Sequence, residues 1–197
     1  MRRGETTEQG RASREGILDA AVVEFTSKGF RGASLKGIAD RAGIAKSGLF
    51  HHFASKDALL GAVLAERTAA KRHGASEDDF PEGSGVIDQM RQTVERNQFD
   101  PTWLRFFTIM IAESFTDEHP ALPVIQARYR AVLQDLESRL RAELPGADEQ
   151  NSGDIAALIV AVMDGLQILR LIDEDFDMRP PFRMLQESLD RLADTPR

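Results

Sequence analysis

Apolar positions recur along most of this chain at three- and four-residue spacing, the period of an α-helix that buries one face. Ile17, Leu18, Ala21, Val22 and Phe25 predict a first helix over about 13–28, ended by Gly29, with Phe30 packing back. Leu35, Ile38, Ala39 and Ala42 predict a short second helix behind an N-cap at Ser34. Gly43 stands where the chain must turn through a left-handed conformation, and Ile44, Leu49 and Phe53 mark a third helix over about 45–53. A fourth helix opens after Ser55, an N-cap, with Asp57 near its positive end, and runs to about 72 through Leu59, Leu60, Val63 and Leu64.

The rest of the chain is also helical by pattern. Residues 74–85 are acidic and rich in small residues, as expected of a loop. A fifth helix follows over about 86–98, capped by Ser84. Asp100 and Pro101 give the start of a sixth, ending near 115, and His119-Pro120 breaks the pattern. A long seventh helix over about 121–144 carries Val124, Ile125, Tyr129, Val132, Leu133, Leu136 and Leu140, and Pro145-Gly146 stops it. Residues 147–153 read as a polar loop. The eighth helix, about 154–172, is apolar almost all round, so it needs cover on two sides. An acidic link over 173–177 leads to an amphipathic ninth helix over about 181–193, with Phe182, Leu185, Leu189 and Leu192 on one side. No stretch alternates as a strand would. The expected fold class is all-α, with a small N-terminal domain over 1–54 and a larger helical domain over 55–197. Residues 1–13 read as a disordered polar arm, and Arg2, Arg3, Arg11 and Arg14 could add phosphate contacts or reach into a minor groove, or simply be solvated.

Composition narrows the choices. The chain has 197 residues, 42% of them hydrophobic, and no cysteine, so disulfides and thiolate chemistry are excluded. The N-terminus lacks the apolar centre of a signal peptide. The longest apolar run, over 155–172, is interrupted by Asp164, Gln167 and Arg170, so no membrane span is expected and the cytoplasm is the expected location. The net charge of −7 hides a split: residues 1–73 carry +5, and residues 74–197 carry −12. A basic first part on an acidic remainder suits an anionic ligand held by the first part alone.

Two short helices joined at Gly43 form a helix-turn-helix, whose second helix would expose Lys46, Ser47, Gly48 and His51 to a DNA major groove. The segment AGIAKSGLFHHFASKDALL resembles the signature of the tetracycline-repressor (TetR) family, and the match covers about 17–63. The resemblance implies a DNA-binding regulator with an effector pocket inside its fourth to eighth helices. It also implies that the eighth and ninth helices pair with those of a second copy. Two-fold symmetry is expected independently of any helix-turn-helix protein that reads a palindrome.

Lys46 could donate to guanine O6 and N7, or contact a phosphate. Ser47 and Gly48 would permit close approach. Lys36 and Lys56, at the starts of neighbouring helices, are candidates for phosphate neutralisation, with Ser34 and Ala45 beside the same surface. By resemblance His51 faces DNA, whereas His52 packs inside. Phe50 stands where the family usually has tyrosine. It cannot donate to a phosphate, which leaves packing or contact with a thymine methyl. Ala45, where a capping residue is usual, cannot cap. Adjacent His51 and His52 diverge on a helix and do not converge on one ion, so neither metal nor cofactor is expected.

The effector candidates are Met90, Phe99, Trp103, Phe106, Phe107, Met110, Glu113, Tyr129 and Met163, together with Phe115. Aromatics at this spacing also serve simply as core. Glu113, if buried, could recognise a cation or amine, or pair with an arginine. The reading is a homodimeric repressor released from a palindromic double-stranded operator by a small-molecule effector. The alternatives are an activator, or an effector-independent DNA-binding protein of the same fold. An enzyme is not expected, because no nucleophile–base arrangement or glycine-rich phosphate loop is evident.

Overall fold

The computed structural model describes residues 2–73, 85–116, 118–144 and 147–193, with side chains described from residue 14 to 66 and from 85 to 191 within those spans. Among the described residues there are nine helices and no strand. They are α1 (Arg2–Gly32), α2 (Leu35–Arg41), α3 (Lys46–His52), α4 (Lys56–His73), α5 (Val86–Gln98), α6 (Pro101–Ser114), α7 (Leu122–Glu143), α8 (Ser152–Ile172) and α9 (Arg179–Ala193). The all-α expectation holds. Residues 74–84 of the expected loop, the Ser84 cap, the Pro145-Gly146 stop and the side chains of Arg2, Arg3 and Arg11 lie outside the described residues or side chains.

Most helix limits follow the sequence signals for the physical reasons given. Ser34 Oγ accepts the Gly37 N–H (3.0 Å), and Ser55 Oγ accepts the Ala58 N–H (3.0 Å). Asp100 Oδ1 accepts the Trp103 N–H (3.1 Å), with Pro101 opening α6. Gly43 has φ 69°, and Ala45 precedes α3 without a side-chain cap. The N-terminal arm differs from expectation: the backbone is helical from Arg2 onward. Adding turns to an existing helix avoids the unfavourable nucleation step, so a polar arm can continue it. The start of α5 differs too. Its N-cap is Gly85, which offers no side chain, and the Val86 N–H is instead accepted by Glu143 Oε2 at 2.5 Å.

The chain divides into two compact units, residues 1–74 with 105–125, and residues 75–104 with 126–197. The first therefore extends beyond residues 1–54, taking in α4 and most of α6, and the division falls inside α6. Its core contains Ile17, Ala21, Phe25, Ile38, Leu49, Phe53, Leu59, Leu60, Val63, Phe106 and Met110, all buried. The second unit packs α5, α8 and α9 together, with Val94, Leu140, Ile159, Met163, Met178, Phe182 and Leu189 in its core and Leu136 of α7 among them.

α8 corrects one expectation. At 21 residues it is long and apolar enough, by length and composition, to cross a membrane. Ala156, Ile159, Met163 and Leu166 nevertheless pack into the core of the second unit, as a core helix of that composition would. Its opposite face leaves Leu158, Ile168, Leu169 and Ile172 exposed.

Candidate nucleic-acid interface

The helix-turn-helix is fixed from within. Leu49 of α3 is fully buried and Phe53 nearly so, which orients the short helix by two apolar anchors. The face between and beyond them is open: Ala45, Lys46, Ser47, Phe50 and His51 are exposed, and Gly48 is half-buried. His52 is half-buried, with its ring 6.4 Å from that of Phe53. Lys46 has no carboxylate partner among the described residues, and its ammonium lies 5.7 Å from the Phe50 ring centroid. Lys36, also exposed, pairs with Asp40 at 2.7 Å, and this carboxylate holds its ammonium above the ordinary lysine range. Among the described residues no group of three His, Cys, Asp or Glu side chains could hold a metal ion.

Lys56 stands differently from its expected place. Its ammonium donates to the backbone carbonyls of Phe30 (2.7 Å), Ala33 (2.9 Å) and Arg31 (3.3 Å), and lies 4.6 Å from the Phe30 ring centroid. These are the open carbonyls at the end of α1, where a cation is favoured electrostatically. Lys56 thus ties α4 to the turn that leads into α2.

Three other side chains hold the same region, through contacts that apolar periodicity does not reveal. Glu24, 1% exposed, faces Lys28 at 2.7 Å and Arg41 of α2 at 3.7 Å. Arg14 pairs through both guanidinium nitrogens with Glu66 of α4 and stacks 5.0 Å above the Phe53 ring. Glu113 accepts the Phe30 N–H at 2.7 Å. A charged residue on a buried stripe, as at Glu24, was the available clue.

Glu113 was an effector candidate, and its observed partners lie in the first unit instead. Gly29 has φ 67° and ψ 173°, a region that residues with a side chain rarely adopt, and a Cβ there would run into the Glu113 carboxylate. His119 lies behind, 4% exposed, with its Nε2 3.7 Å from Glu113 Oε2 and its ring edge-on to Phe30 at 5.1 Å. His119 Nδ1 accepts the Ala121 N–H at 3.2 Å, so the proton of the neutral ring sits on Nε2. Burial pushes the His119 pKa below its ordinary 6.5, against the opposing pull of Glu113.

The remaining effector candidates are divided. Phe106, Phe107 and Met110 are buried in the first unit, the Phe106 ring 6.4 Å from Phe25. Trp103 and Met163 are buried in the second unit and Met90 is half-buried there, whereas Phe99 is 76% exposed and Phe115, in the first unit, 78% exposed. Phe99 follows the last turn of α5, where the chain reverses and its ring misses the core. Tyr129 of α7 donates its hydroxyl to Asp164 Oδ2 at 2.7 Å. Burial raises the Asp164 pKa, opposed by this hydrogen bond, and burial also raises that of Tyr129.

Comparison with known proteins bears on this geometry. Residues 17–63 match the bacterial regulatory proteins of the tetR family, a span that opens in α1 and ends in α4. The HTH-type transcriptional regulator BetI of Escherichia coli (strain K12) is 29% identical over 158 residues, covering 78% of this chain and 79% of that protein. A putative transcriptional regulator from Pseudomonas aeruginosa PAO1 shares the fold with a TM-score of 0.74 at 21% identity, over 91% of this chain and 89% of that one. FadR from Bacillus subtilis, solved with stearoyl-CoA, shares it with a TM-score of 0.70 at 15% identity, over 93% and 99%. A helix-turn-helix held by buried Leu49 and Phe53, with a basic outer face, falls within the matched residues. Regulators of this family bind DNA and small-molecule effectors and are not enzymes. Over residues 17–63 the chain resembles the tetR family of bacterial regulatory proteins, and it is a DNA-binding transcriptional regulator.

Proposed function

We propose that this regulator is a homodimeric repressor that α3 seats in the major groove of a palindromic operator, and that a small-molecule effector releases it. The observation that carries the reading is the outer face of α3, where Lys46, Ser47, Phe50 and His51 are exposed on a helix anchored by Leu49. Lys46 reads a guanine edge, Ser47 and Gly48 permit close approach, and Ser34, Lys36, Ala45 and His51 face the DNA around it. Two copies meet through α8 and α9. The exposed stripe Leu158, Ile168, Leu169 and Ile172, with Met184 of α9 69% exposed, supports that face, since adjoining apolar side chains left to water favour association. The effector is a small, partly apolar molecule recognised among Met90, Trp103, Tyr129 and Met163. Its occupancy favours a dimer geometry whose recognition helices no longer fit grooves about 34 Å apart. A regulator of DNA works where the DNA is, so the cytoplasm is the proposed location.

Selection of bound sequences from random DNA, repeated with Lys46→Ala, tests this. A palindromic consensus that weakens at one base pair per half-site in the variant is expected. Uniform weakening would make Lys46 a phosphate contact, and absence of any enriched sequence would defeat the reading.

A further inference from the structure

Phe50 is a phenyl ring of the helix-turn-helix left to water. It is 45% exposed, while Phe53, three residues on, is 4% exposed and locked into the core. An apolar ring on an otherwise small and polar outer face gains nothing there from packing, since its burial is incomplete. Its position on the helix gives it a partner. Residues four apart lie on one face, so Phe50 and Lys46 form a single stripe, as the 5.7 Å separation of ammonium and ring centroid records. Ser47 and Gly48, beside the Lys46 end of that stripe, are small or without a side chain, and His51 is exposed beside the ring.

We infer that Phe50 is a specificity-determining residue that reads the C5 methyl group of a thymine, next to the guanine read by Lys46. The inference rests on the proposed seating of α3 in the major groove. Only one base of the four presents an apolar group in that groove, and a phenylalanine ring can bury it without a hydrogen bond. The ring has no donor or acceptor with which to select any other base, and none for a phosphate. The stripe also sets the spacing. One helical turn advances about 5.4 Å, against a rise of about 3.4 Å per base pair, so the thymine falls within about two base pairs of the guanine. Lys46 then leaves the face of the ring for guanine O6 and N7 as the methyl group takes its place.

The test uses the full-length protein and a duplex of the selected consensus, with each thymine replaced in turn by deoxyuridine, which removes the methyl group alone. One position per half-site is expected to lose about fourfold in affinity, the effect of one buried methyl. The Phe50→Ala protein is expected to bind the thymine and deoxyuridine duplexes equally, and Phe50→Leu to keep part of the preference. Circular dichroism and thermal unfolding check that both variants fold, as a half-exposed position permits. Full indifference of the wild-type protein to every deoxyuridine would overturn the inference while leaving a sequence-specific regulator in place. So would a methyl effect that persists unchanged in Phe50→Ala. A selection that enriches no sequence would instead remove the major-groove reading, and the inference with it.

Discussion

The first unit and the second unit hold their helices by different means. In the first, charged side chains grip backbone and each other across helices: Lys56 on three carbonyls, Glu113 on the Phe30 N–H, Glu24 facing Lys28 and Arg41, and Arg14 on Glu66. In the second, apolar stripes from α5, α7, α8 and α9 form the core, with polar links at Glu143–Val86, Tyr129–Asp164, and Gln98 to Phe176 and Met178. Directional bonds fix angles, whereas apolar contact is non-directional and scales with area. The short α3, proposed above to meet base edges, would need fixed angles. The second unit, proposed above to bind a partner copy and an effector, would need apolar surface for both. On that reading the exposed apolar stripe of α8 has a use, whereas the apolar residues Ile38 and Ala39 of α2 are spent inside the first unit.

The largest expected effect tests the grip at Gly29. Gly29→Ala places a side chain at φ 67° and displaces Glu113 from the Phe30 N–H, so urea unfolding should show a loss of about 3 kcal/mol. A loss below about 0.5 kcal/mol would mean the clamp does not hold the turn. Next is the apolar stripe. Leu158→Glu with Ile172→Glu should shift sedimentation from dimer toward monomer by about a hundredfold in dissociation constant, with little change in the folding of either unit. If both residues instead face solvent in the dimer, sedimentation will not change and the α8 interface is wrong.

Lys56→Met should lower stability by about 2 kcal/mol, because three carbonyls lose a charged donor. The salt dependence of DNA binding then separates the two roles. A phosphate contact would reduce the slope by about one, and a purely internal clamp would leave it unchanged. Tyr129→Phe removes the hydroxyl that Asp164 accepts from, with an expected loss of about 1–2 kcal/mol in thermal unfolding.

The smallest effect is in pH. The folded pKa of His119 lies below its ordinary 6.5, so the unfolded chain takes up the proton first. Its contribution is complete above about pH 6.5 and is lost as pH falls from there toward the folded value. Unfolding of His119→Gln should show a shallower dependence across that window. An unchanged slope would assign the acid sensitivity to other groups.

The local signals were legible because they act over one turn of chain. Ser34, Ser55, Asp100, Gly43 and the Gly29 break each acted as their chemistry and neighbours in sequence dictate. The apolar period placed the helices, and the segment about Gly43 identified the helix-turn-helix. The N-terminal arm was misjudged because polar composition does not reveal that a helix can propagate into it. The contacts of Lys56 and Glu113 were not legible for a different reason. Each has a partner far off in the chain, 26 residues away for Lys56 and 83 for Glu113, and a one-dimensional pattern carries no such distance.

The sequence by itself determined the all-α class, the helix order, the caps and turns, and the basic exposed face of α3. These depend on hydrogen bonds and periodicity within a few residues. Only the tertiary structure decided that Glu113 closes on the Phe30 N–H, that Lys56 grips carbonyls, and which face of α8 stays uncovered. Those outcomes depend on which helices pack together, and packing selects among partners that the local pattern leaves equal.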